Sequence, residues 1–71
     1  MSEAKRRERD RKNEIKKAAQ ELDAIRCQLD AAYRNFDAVT DPDALGACIY
    51  EIGALRTRYN LALKQIRAKL L

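Results

Sequence analysis

The sequence predicts an all-α chain folded as an antiparallel two-helix hairpin of coiled-coil character, pairing with a second copy into a four-helix bundle dimer. Three observations point there. Two long segments carry apolar residues at alternating steps of three and four, the spacing that lines up one face of a helix. A lone proline, Pro42, stands between them. No stretch alternates apolar and polar residues with the period of two that a half-buried strand requires.

The first pattern is Ile15, Ala18, Leu22, Ile25, Leu29, Ala32, Phe36 and Val39. It is an unbroken a/d heptad seam and predicts a helix over 13–39. Upstream, Glu3–Arg7 and Glu8–Lys12 are acid-to-base pairs four residues apart, in the orientation that supports a helix. The segment 1–12 is therefore expected as a helical extension or a frayed end. The turn falls at 40–41. Proline belongs in the first turn of a helix, where its missing N–H has no partner to lose. The residue before it is driven toward extended backbone, which makes Asp41 the natural N-cap. Thr40 and Asp43 offer an alternative or overlapping capping box.

The second pattern, Leu45, Cys48, Ile52, Leu55, Tyr59, Ala62 and Ile66, predicts a helix over 42–70. Ile49, Leu63 and Leu70 widen its stripe on one flank, as in a bundle helix. Gly46 and Gly53 lie seven apart. Each costs on the order of 1 kcal/mol against alanine, so they are either tolerated surface glycines or sites of close approach by another helix.

A short connection makes the helices antiparallel neighbours. Facing positions then add up to about 84, which pairs Val39 with Leu45, Phe36 with Cys48, Ala32 with Ile52, Leu29 with Leu55, Ile25 with Tyr59 and Leu22 with Ala62. Most layers set a large side chain against a small one. Leu71 then faces Asn13, and residues 1–12 overhang the 13–71 hairpin. Tyr33, Ile49, Leu63 and Leu70 would stay partly wet in a monomer. Pairing two hairpins removes such surface from water, at roughly 25 cal/mol per Å². Tyr50, Gly53 and Asn60 complete the expected interface.

The charge is divided along the chain. Of a net +4, residues 1–17 hold eight basic side chains against four acidic, and residues 18–71 hold seven of each. Lys5, Arg6, Arg7, Arg9, Arg11 and Lys12 are the candidate nucleic-acid contacts. They would meet phosphates rather than read sequence, and no aromatic residue interleaves with them to stack on bases. A solvated charged helix is the competing reading. Met1 and Ala4 are the arm's only apolar residues before Ile15, which weighs against an interfacial membrane helix.

Several classes of activity are disfavoured outright. No apolar run approaches the roughly 20 residues that cross a bilayer, and no apolar h-region of a signal peptide follows the basic segment. The chain has no histidine and two cysteines, so neither the common zinc sites nor a histidine base can be assembled. No catalytic residue, metal or cofactor is assigned, and an enzyme is not expected. Cys27 falls at an outward f position and Cys48 in the seam, too far out of register to bridge. Unpaired cysteines without a signal sequence suit the cytoplasm.

The segments Asn35-Phe36-Asp37-Ala38-Val39-Thr40-Asp41-Pro42-Asp43, Ile49-Tyr50-Glu51 and Arg58-Tyr59-Asn60 resemble the YaaL-like family of short bacterial proteins, a group of unknown function. The likeness covers roughly residues 22–66 and leaves the basic arm outside. It implies a small cytoplasmic bacterial protein and transfers no catalytic residue. Tyr50, Glu51, Arg58 and Asn60 are then either a hydrogen-bonded flank, with Tyr50 or Asn60 reaching Asp37 or a second subunit, or a polar surface for another protein. The expected function is that of a non-enzymatic, self-associating interaction or adaptor module. The alternative is a nucleic-acid accessory protein that uses its basic arm as a tether.

Overall fold

The computed structural model describes residues 2–71. It contains two helices, α1 (Glu3–Ala38) and α2 (Pro42–Leu70), packed against one another as a hairpin. The molecule measures 60 × 16 × 12 Å, with a radius of gyration of 17.2 Å. A compact chain of this length would have a radius of about 11 Å. The extension follows from the topology, because a two-helix layer has nothing to wrap around.

α1 is continuous from its first turn, so the segment over 1–12 is a helical extension among its described residues. Ser2 caps it. Its Oγ accepts from the Lys5 amide at 3.2 Å while Glu3 occupies the first turn, where a negative charge suits the helix dipole. The Glu3–Arg7 and Glu8–Lys12 pairs are not among the ion pairs of the described residues, which are Arg26–Asp23 at 3.3 Å and Lys69–Glu14 at 3.9 Å.

α1 ends one residue earlier than the seam suggested, at Ala38. Val39 is its C-cap at φ −91°, ψ 137°, extended like Asp41 at φ −68°, ψ 128°. The proline imposes this conformation on Asp41, and the β-branched pair Val39–Thr40 tolerates it well. No residue with positive φ is needed. Asp41 is the N-cap of α2, with Oδ2 accepting from the Ala44 amide at 2.9 Å. The described hydrogen bonds contain no Thr40–Asp43 capping box.

The core is thin and systematic. Five residues are buried, Ile25, Ala32, Cys48, Leu55 and Ala62, and all five occupy d positions of their seams. The a positions of both helices, from Ile15 and Leu22 through Phe36 and from Leu45 through Ile66, are half-buried. Each of the five inner layers thus sets a buried d residue against a half-covered a residue, while the end-layer d residues Ala18 and Val39 stay half-buried. Three inter-helix contacts fix the register within about one turn of the expected one: Asn35 Nδ2 to Cys48 Sγ at 3.5 Å, Lys69 Nζ to Glu14 Oε2 at 3.9 Å, and Arg11 Nη2 to the Lys69 carbonyl at 3.4 Å.

Candidate interaction surfaces

The four positions across a coiled-coil face run e, a, d, g, so a residues lean toward the e side and d residues toward the g side. In an antiparallel hairpin both e flanks lie on one broad face and both g flanks on the other. The two faces differ in chemistry.

On the g side an open groove is lined by Ala32 and Leu55 at the seam, by Gln28, Asn35, Glu51 and Arg58 beside it, and by Ala31 and Ala54 farther out. The four residues beside the seam are polar and carry both signs of charge. On the e side lie Tyr33, 42% exposed, Ile49, 60%, and Leu70, 57%, with the half-buried Leu63. The half-covered a residues lean the same way. Apolar side chains line this face toward both ends of the hairpin, and the exposed Arg26 and Arg56, also at e positions, interrupt it midway.

Four of the expected interface residues, Tyr33, Ile49, Leu63 and Leu70, therefore share one edge. Gly53 and Asn60, at b positions, border it. Tyr50 does not join them: it is 83% exposed and sits at an f position, on the outer side of α2. No described hydrogen bond takes Tyr50 or Asn60 to Asp37. Leu61 (56% exposed) and Leu71 are exposed apolar residues missed by the seam. A Cβ built at Gly46 or Gly53 meets nothing within 4 Å, so inside the hairpin neither glycine answers a close approach. Thr40 and Asp41 lie in the turn and Pro42 opens α2; of the three only Asp41 caps.

The six basic arm residues are exposed, but they are not equivalent. Arg11, at a d position, reaches across to the last turn of α2 and donates to the Lys69 carbonyl. Lys5, Arg9 and Lys12 continue instead to Lys16, which a boundary drawn at residue 12 had cut off. Their 4-3-4 spacing was visible in the sequence once the arm is taken as helix.

Cys27 is exposed and Cys48 buried, both as free thiols. Among the described residues no group of three histidine, cysteine, aspartate or glutamate side chains is placed to hold a metal, and no helix is long and apolar enough to cross a membrane. No family model, curated protein or solved structure matches the chain.

Proposed function

We propose that this protein is a self-associating helical module, two copies of which pair through the apolar e-side face, and that it acts by binding other macromolecules rather than by catalysis. The observation that carries this reading is the sidedness of the hairpin: Tyr33, Ile49, Leu63 and Leu70 lie along one edge with the half-covered a residues beside them. Area arithmetic supports it. The chain exposes 5733 Å², against about 4,500 Å² for a compact monomer of its mass. Part of the excess belongs to the projecting arm. The rest lies along the elongated two-helix body, where a partner of standard interface size would cover roughly 800 Å².

The likeness to the YaaL-like family belongs to this same reading and rests on the segments 35–43, 49–51 and 58–60. So does a cytoplasmic setting, in which the two unpaired thiols would stay reduced.

Sedimentation of the full chain at micromolar concentration tests the proposal. The wild type should sediment at twice its 8.2 kDa mass, with a melting temperature that rises with protein concentration. Ile49→Glu should give a monomer of unchanged helicity, because the residue faces outward from its own hairpin. A wild type that stays monomeric, with a concentration-independent melt, defeats the reading.

A further inference from the structure

The arm carries a second surface, which continues the e side of α1 toward its amino-terminal end. Because α1 is an unbroken helix from Glu3, the positions of its charges around the axis follow from 3.6 residues per turn. Lys5, Arg9, Lys12 and Lys16 recur at 4-3-4 spacing and stack in a single row about 16 Å long. Arg6 and Lys17 lie about 90–110° round the helix from the centre of that row. Of the four carboxylates of this region, Glu3, Asp10 and Glu14 fall about 100° or more away from it, and Glu8 alone borders it, one turn from Lys5 and Lys12. Glu14 is turned toward α2, where it pairs with Lys69. All four cations are exposed, and none is in a described ion pair.

The row has a defined end. Continuing along the same lane of α1, Arg9 and Lys16 are followed at seven-residue steps by Asp23, Asp30 and Asp37. Along this one lane the positive charge ends at Lys16 and carboxylates follow it. Arg11 is excluded from the row by its hydrogen bond to Lys69.

We propose that the row Lys5, Arg9, Lys12 and Lys16 is a binding site for the phosphate backbone of duplex nucleic acid. Four cations in about 16 Å suit a partner that offers a negative charge per roughly 1.7 Å of its axis. The row carries no aromatic residue for stacking, so contacts are with the backbone and independent of sequence. It also has no apolar border to enter a lipid surface, since Ala4 is the one apolar residue among residues 2–14 and interfacial helices need a true apolar face.

The test is titration of a fluorescent random-sequence DNA duplex with the full chain at two salt concentrations. With about four phosphates neutralised, affinity should fall roughly 150-fold between about 50 and 200 mM salt. A variant carrying K5Q, R9Q, K12Q and K16Q should bind at least about tenfold more weakly at low salt, with a flattened salt dependence. A second variant removes the same formal charge elsewhere, through R7Q, R34Q, R58Q and K64Q, and should keep most of both. Helicity by circular dichroism and mass by sedimentation are read on all three proteins. Equal losses in the two variants would mean that only net charge matters, and would overturn the site. So would a wild type that ignores the duplex or prefers vesicles containing about 30% phosphatidylserine. A row variant that loses its dimer while keeping duplex affinity would assign the row to self-pairing instead, also against the proposal. Loss of the dimer in Ile49→Glu with salt-dependent binding retained leaves this site standing while the self-association result is read separately.

Discussion

The guanidinium of Arg11 donates to the carbonyl oxygen of Lys69, 58 residues further along the chain, at 3.4 Å. The bond is long and exposed, so its energetic weight is small. Its positional meaning is larger. A cation from α1 sits against the carbonyl end of α2, where the helix dipole favours positive charge, and the neighbouring Lys69–Glu14 pair at 3.9 Å joins the same two ends. The hairpin therefore closes at residues 11–14, and the arm proper is shorter than its charge pattern suggests.

Capping at the turn is concentrated in one residue. Asp41→Ala should lower stability by about 1 kcal/mol, within the usual range of roughly 0.5–2 for a lost N-cap. Thr40→Ala should stay within about 0.5 kcal/mol, because no described hydrogen bond depends on Thr40. Thermal melts of the two variants at equal concentration separate these outcomes. Equal losses would transfer the cap to a shared box.

Burial grades the leucines of α2. Leu55 is 6% exposed at the middle of the seam, and Leu55→Ala should cost about 2–4 kcal/mol through lost transfer energy and a residual cavity. Leu61, on the outer side of the same helix, should tolerate alanine within about 0.5 kcal/mol. Urea unfolding curves would show the difference as a shift in midpoint at similar slope.

Gly53 offers a gain rather than a loss. A methyl group there meets nothing within 4 Å in the hairpin, so Gly53→Ala should stabilise the helix by about 1 kcal/mol. The melt is best taken at the lowest workable concentration, where self-association contributes least. A lower melting temperature under those conditions would contradict the open space around the residue.

The two thiols should separate kinetically. Cys27 is exposed and Cys48 is buried beside Asn35, so a disulfide reagent should titrate one equivalent quickly in the native protein and the second only as the hairpin opens. Under denaturing conditions both should react together. Two fast native equivalents would place Cys48 outside the seam.

Much of the fold is legible in the residue order, for a physical reason. A two-helix hairpin has one contact surface, so the apolar period that makes each helix amphipathic is also the list of its contacts. The seam from Ile15 to Phe36 reproduces every residue of α1 that is not fully exposed. In α2 only Ala44 and Gly46, next to the turn, join the expected seam and flank. The cap at Asp41 follows from the proline beside it. Less legible was the Ser2 cap, although a serine followed by an acidic first turn is its usual signal.

The candidate surfaces divide differently. That Tyr33 and Ile49 stay wet could be anticipated from the width of the stripe. Tyr50 was grouped with them by sequence likeness, and its f position places it on the outer side instead. The basic arm shows the same limit, since net charge is a sum while a binding row depends on angle about an axis.

Sequence alone determined the helical period, the break at Pro42, the antiparallel pairing and the charge excess at the amino-terminal side. These are local or one-dimensional properties, written in spacing and residue type. Tertiary structure decided that five of the d residues are buried while the a residues stay half-covered, and that Arg11 is drawn to the end of α2. Those outcomes depend on the phase of each side chain relative to a second helix. Phase becomes a contact only when both helices are in place.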